Sequence, residues 1–465
     1  MDFWKSRKQV FLPGNSCNDL LVHDNESVRI MSKKILLYII VLLLCTACAR
    51  QEAPSGTVND ATEEAGSTTN TEADANAAET YSYIENEDTD NRFPRLNFPH
   101  LVQLGQYYFG SFSDHTCFLN CYDTVSKTNE IVCSKPDCTH DNEDCNAFFM
   151  ADLELSLYHD HLYWLGVEGE GAEKMDTLAI RRMDPFAGTR ESVRSVSWNE
   201  IMVRYGPQHM RVHRGTAYLE CMKRTIVESS PHPKYKLSLL AMPLSEKGET
   251  KVIFERDYDC GAQMQTRYCG NYIYLFCSLW TREPAATWYE IYKVDIQRGE
   301  CKAEIAKLEP DCYFDDFWVD NDYRLLAAGR DKNDSTKSFV WQIEDGTVKE
   351  LFSFEDISGN LGSYLLDHIA VDLRHVNGEY PCCICNFDGR VLYDGNLTLP
   401  TQIPDLYPDN CKIESIHIVG GDENVLIVLY EVSGKGISDK VLLMYDLKNN
   451  MEPSAIWNEH VEKVY

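Results

Sequence analysis

The sequence predicts an all-β fold, a ring of four-stranded antiparallel blades. Three observations carry it: a hairpin pattern that recurs seven times, a second hairpin of different character after most of them, and near absence of helical periodicity. Each repeat opens with a short alternating run, makes a tight polar turn and returns through an aromatic-rich run. Alternation at a period of two marks a half-buried strand, and Gly, Asn and Asp mark the turn. The segments are Leu101 to Phe112 around Gly105, Leu155 to Gly166 around Asp160, Met210 to Met222 around Gly215 and Thr266 to Ser278 around Gly270. Phe317 to Gly329 around Asn321, Ile369 to Cys385 around Gly378 and Ile416 to Tyr430 around Gly421 complete the set. The turn centres lie 55, 55, 55, 51, 57 and 43 residues apart.

In the second hairpin a strand ends in an Asp-type turn and a charged strand follows, as in the runs ending at Asp184, Asp295 and Asp446, with Glu344 in the same role. Two hairpins make four strands. An isolated four-stranded sheet cannot cover both its faces, so repeats of about 50 residues must stack around an axis, which is a β-propeller. Seven blades are expected, with six or eight left open by the irregular Gly378 segment and the Phe93 to Gln106 stretch. The competing architecture, a pair of β-sandwiches, gives no reason for seven evenly spaced, like-patterned turns.

Ahead of the repeats stand Lys33 and Lys34, ten apolar residues from Ile35 to Leu44, and Cys45-Thr46-Ala47-Cys48. This is a signal-peptide layout, too short for the roughly 20 apolar residues of a spanning helix. The Thr46-Ala47-Cys48 end resembles the lipobox of bacterial lipoproteins, although Cys45 stands where leucine is usual. The resemblance implies lipidation of Cys48, cleavage before it, and a membrane-anchored, extracytoplasmic chain. Residues 1–30 precede a second methionine and are expected to be an unstructured upstream extension, with 31–47 the signal, 48–95 a disordered tether and 96–465 the propeller. From Ala49 to Arg95 eleven acidic residues face three arginines in an Ala-, Thr- and Asn-rich background, which cannot bury enough apolar surface to order itself. Like charges extend such a tether.

The net charge of −29 argues against nucleic acid and anionic lipid headgroups as partners, because both require basic surfaces. Of 18 cysteines, removal of the first 47 residues leaves sixteen, one of them for the lipid. Several, Cys277, Cys382 and Cys383 among them, fall inside apolar strand-like runs, where a cysteine acts as a small hydrophobe. Few disulfides are expected.

Between the first and second repeats, Cys133, Cys138, His140 and Cys145 fall within thirteen residues. Three thiolates and an imidazole suit tetrahedral zinc, and with all four positions filled the ion would be structural. The spacings are not those of common zinc fingers. A disulfide, Cys133 to Cys138 or Cys138 to Cys145, and a loop of packed free thiols are the other readings. The run Val132-Cys133-Ser134-Lys135-Pro136-Asp137-Cys138-Thr139-His140 through Cys145-Asn146-Ala147 resembles a segment of uncharacterised lipoproteins from anaerobic Gram-positive bacteria. Those proteins combine a lipobox, an acidic tether and repeats similar to the low-density-lipoprotein-receptor-like β-propeller. The resemblance implies fold and location and transfers no activity.

His159 and His161 around Asp160 read as turn residues, and Asp311, Asp315, Asp316, Asp320 and Asp322 as a solvated acidic loop without the EF-hand glycine. No nucleophile elbow, phosphate loop or His-Glu-x-x-His occurs. The leading expectation is therefore a non-enzymatic, surface-tethered propeller that binds a protein or an extracellular glycan or peptide. The alternatives are a propeller hydrolase or lyase acting on extracellular polysaccharide, whose paired carboxylates from different blades sequence would not reveal, and a metal-stapled structural component of an envelope complex.

Overall fold

A computed structural model describes residues 81–93, 100–111, 118–140, 145–148, 154–168, 177–186, 188–197, 199–226, 233–245, 248–282, 284–334, 336–354, 360–397, 412–434 and 437–462. They belong to the second of two compact units, Glu79–Tyr465. The proposed signal, Cys48 and the tether up to residue 80 lie outside the described residues.

Seven antiparallel sheets of four strands each form the blades, and each is built from four strands consecutive in sequence. Blade 1 spans residues 100–131, blade 2 156–197, blade 3 207–258, blade 4 261–308, blade 5 312–353, blade 6 360–396 and blade 7 412–462. The only helical element among the described residues is a single π-turn, Asn199–Val203. The ring follows from where the apolar residues go. Among the described residues, buried hydrophobic side chains form seven clusters, each shared by two neighbouring blades, for example Leu237 and Phe254 of blade 3 with Leu275 and Val294 of blade 4. The cluster joining blade 7 to blade 1 places Ile427 and Leu442 against Leu101 and Tyr122. Each blade thus covers both faces by packing on its neighbours, the condition the repeat imposes.

The first strand of each blade lies innermost, with one edge unpaired in the sheet. Unpaired buried N–H groups are costly, and they are met from the preceding blade. Met210 N–H donates to Glu154 Oε2 at 3.0 Å and Val212 N–H to Ser156 Oγ at 2.8 Å. Leu365 N–H donates to Asp316 Oδ2 at 2.9 Å. Of the acidic run of blade 5, Asp311 and Asp322 are exposed, as a solvated loop would be, and Asp315, Asp316 and Asp320 are not. Asp316 and Asp320 are buried, and Asp315, Asp316 and Asp320 pair with Arg330, Arg267 and Arg324.

The Asp-type turns form as the second hairpins predict. Phe186, Gln297 and Lys448 N–H donate to the carboxylates of Asp184, Asp295 and Asp446 two residues back, closing Asx turns. The sixth repeat differs from its expected register. Its first turn is Asp367-His368, between Asn360–Leu366 and Ile369–Arg374, whereas Gly378 sits in the next connection, before Pro381–Asn386. His368 carries the positive φ of 60° that a glycine or asparagine would have announced.

Candidate functional site

The turns between first and second strands gather on one rim of the ring, and residues 81–93 lie across it. These residues fall in the stretch whose acidic composition suggested a tether, yet their polar groups are paired blade by blade. Tyr81 N–H donates to Asn321 O of blade 5 at 2.7 Å, and the N–H groups of His159, Arg214 and Gly421, from blades 2, 3 and 7, donate to the carbonyls of Asn86, Glu87 and Arg92. Asn91 exchanges two bonds with the backbone of Tyr268 in blade 4. Thr89 N–H donates to His213 Nδ1 at 3.0 Å, its hydroxyl donates to Val212 O, and His213 Nε2 donates to Gly270 O at 2.7 Å. That pattern needs a neutral imidazole. Burial supplies it, holding the His213 pKa down to about 4. Asp88, its side chain fully buried, accepts from Arg214 Nε at 2.6 Å, from Ile84 N–H and from the Tyr81 hydroxyl. Arg92 bridges Asp90 and Asp422. His159 Nε2 meets Glu87, so the His159–Asp160 turn holds this plug.

Behind the plug, the channel contains a cavity of about 180 Å³ lined by Thr89, Asp90, Asn91 and Phe93 and by residues of blades 3 to 5. Two ion pairs cross blades, Arg211 with Glu154 at 2.7 Å and Arg267 with Asp316 at 2.8 Å, and the Glu220 carboxylate accepts from the Thr266 hydroxyl. Gln263 and Gln265 complete the lining, and Gln263, near the start of its strand and away from the plug, is exposed. The buried Oε1 of Gln265 has no hydrogen-bond partner within the protein. A second space of about 380 Å³ flanks the plug between Tyr81 and Tyr83 on one side and Trp318, Asp367 and His368 on the other. At the junction of blades 5 and 6, burial raises the Asp315 carboxyl to about 6 against the opposing pull of Arg330. Sequence reasoning missed this channel set, because its members come from different blades and share no spacing.

The Cys/His cluster assembles on the loop after blade 1. Cys133, Cys138, His140 and Cys145 bring one Nδ1 or Nε2 and three Sγ atoms within 4.8 Å of one another. Zinc with ligands at about 2.3 Å sets its tetrahedral corners roughly 3.8 Å apart, so a small contraction closes the set. His140 Nδ1 is already 3.3 Å from Cys145 Sγ. Against the upward pull of partial burial, the amides of Lys135 and Asn146 and the neighbouring thiols bring Cys133 down to about 7, whereas burial pushes Cys145 up to about 12. A cation bound here would displace the thiol protons, since the ligand form of cysteine is the thiolate. The loop is held by Arg190 of blade 2, whose guanidinium donates to the carbonyls of Phe148 and Cys145. Cys145 packs in the core shared by blades 1 and 2. All the described cysteines are free, including Cys277, Cys382 and Cys383.

Fold and sites together define a seven-bladed β-propeller with a plugged rim, a polar channel and a Cys₃His cluster at one blade junction. No family model and no curated protein matches the chain. Among solved structures it is similar to a prolyl endopeptidase, at 10% identity and TM-score 0.48 over 79% of this chain and 50% of that one. It is also similar to the β-propeller domain of the trilobed protease of Pyrococcus furiosus, described as having an open velcro topology, at 12% identity and TM-score 0.44 over 80% and 99%. A third likeness is to the polysaccharide lyase Uly1, at 10% identity and TM-score 0.45 over 83% and 95%. The chain spans about half the length of the prolyl endopeptidase.

Proposed function

We propose that the chain is a lipid-anchored surface protein, tethered through Cys48 on the extracytoplasmic face, whose propeller binds a protein, glycan or peptide partner without transforming it. The observation that carries this reading is the pairing of charge in the channel. Arg211 with Glu154 and Arg267 with Asp316 neutralise each other across blades. Such pairs position a ligand and fix blade geometry, and the Glu220 carboxylate and the His209 imidazole of the lining are taken up by the Thr266 hydroxyl and by Glu154, whereas an acid or base must be directed at the reacting atoms. The Cys133, Cys138, His140 and Cys145 set takes a structural zinc ion in this reading, with no position left for substrate.

The test is direct binding of oligosaccharide and peptide panels to the protein, with product analysis of every mixture. A saturable ligand returned unchanged, and lost in Gln263→Ala/Gln265→Ala, supports the reading, since neither glutamine belongs to an ion pair. Chain cleavage that this variant abolishes would replace it with a polysaccharide- or peptide-cleaving enzyme. Radiolabelled lipid incorporated into the wild type and absent from Cys48→Ala tests the anchor.

A further inference from the structure

Four consecutive strands make every blade, so no strand is exchanged between the two ends of the ring. Closure therefore falls on the packing between blades 7 and 1, and residues 81–93 bear directly on that seam. Phe93 belongs to the seam's core and meets Tyr108 of blade 1 edge-on at 6.2 Å. On the other side it lies against Gly420 of blade 7, where an added Cβ would stand 2.6 Å from the ring and 2.8 Å from Arg92 O. Arg92 O accepts from Gly421 N–H, and the Arg92 guanidinium reaches Asp422 at 3.1 Å. The remainder of the plug spreads its bonds over blades 2 to 5, as set out above.

These contacts are those of a bound peptide. Main-chain groups pair with main-chain groups of the receptor, side chains enter individual pockets, and the anchors are one buried carboxylate, Asp88, and one aromatic ring, Phe93. The receptor surface is prepared for it. Gly420 leaves room for the backbone, His213 is neutral and faces Thr89, and Arg214 is aimed at Asp88. Around His213 the charged groups are Asp88, Glu87 and Arg214, and a neutral ring accepts Thr89 N–H without competing with them.

The geometry points to the plugged rim as a peptide-binding site whose ligand is the chain's own 81–93 segment, a detachable clasp that closes the ring where strand exchange does not. Because the clasp binds the folded ring, it stabilises the ring by mass action and can be replaced by the same sequence supplied separately. The space beside the plug, lined by Tyr83, Trp318 and His368, gives an incoming peptide access.

The experiment uses the full chain with a specific protease site substituted within residues 95–98. After cutting, the N-terminal fragment is expected to co-elute with the ring and to be displaced by an excess of fluorescent synthetic peptide 79–95. A peptide carrying Asp88→Ala and Phe93→Ala should bind at least tenfold more weakly. Gly420→Val in the ring should weaken the wild-type peptide to a similar degree. Competition is run without stripping the ring first, so an unstable empty ring does not obscure the answer. Two results would overturn the proposal: a fragment that leaves on cutting while the ring melts at its uncut temperature, or a scrambled peptide that binds as well as the true sequence.

Discussion

The seam between blades 6 and 7 and the seam between blades 7 and 1 do the same geometric job with different means. Seventeen buried residues form the first cluster, among them Leu373, Ile384, Val428 and Leu443. Nine form the second, and one of these, Phe93, comes from outside the blades. Between blades 6 and 7, which follow one another in the chain, the core is drawn from the two blades and the residue that follows blade 6. Where the ring closes on itself, between blades 7 and 1, a segment bonded to several blades at once adds Phe93 to the core.

Breaking the second seam should have the largest effect. Phe93→Ala should cost about 3–5 kcal/mol, the range for deleting a buried aromatic ring. Hydrogen exchange should then accelerate in blades 1 and 7 while Leu373 and Ile384 in blade 6 keep their protection. Leu443→Ala at the other seam costs a similar amount but should leave blade 1 protected, and uniform loss in both variants would remove the distinction drawn here.

Zinc tests a third seam, between blades 1 and 2. Free zinc at one hundred times the dissociation constant should stabilise the protein by about 2.7 kcal/mol through linkage. Cys138→Ser should abolish both the bound metal, measured by elemental analysis of anaerobically purified protein, and the shift in melting temperature. Metal content near zero in the wild type would return the loop to packed free thiols. Asp88→Asn keeps the size but loses the charge facing Arg214, and should cost about 2 kcal/mol by denaturant titration.

The smallest effect expected is a pH dependence. His213 is held down to about 4 in the fold against an ordinary value of 6.5, so the unfolded chain binds the extra proton between these limits. Its contribution to stability is complete above about 6.5 and is lost as the pH falls towards 4, about 1 kcal/mol by pH 5.5. Asp315, raised to about 6 by burial, acts in the opposite sense between 6 and its ordinary 3.8. The difference between wild type and His213→Gln isolates the histidine. A parallel pair of curves would mean that folding leaves the proton affinity of His213 unchanged.

The blade repeat was legible because each turn has local chemistry. Gly105, Gly215 and Gly270 carry the positive φ that the turns require, and Asp184, Asp295 and Asp446 cap the second hairpins through their own side chains. The sixth blade was misregistered for the converse reason. His368 adopts the same backbone conformation without the residue type that announces it, and Gly378 announces a turn one strand later. The Cys133 to Cys145 cluster was legible because its four side chains come from one short loop. Glu154, Arg211, Arg267 and Asp316 were not, because they meet only when blades 2 to 5 are stacked.

The sequence by itself indicated the strand periodicity, a repeat count of seven and the grouping of Cys133, Cys138, His140 and Cys145 in one loop, all of which depend on neighbours in the chain. Only the tertiary structure decided that residues 81–93 belong to the ring. Their composition is that of a soluble tether, and their partners, from Tyr108 to Asp422, are distributed around a circle that no local pattern records. A polar segment orders when every polar group finds a partner, and here those partners are supplied by blades far apart in sequence.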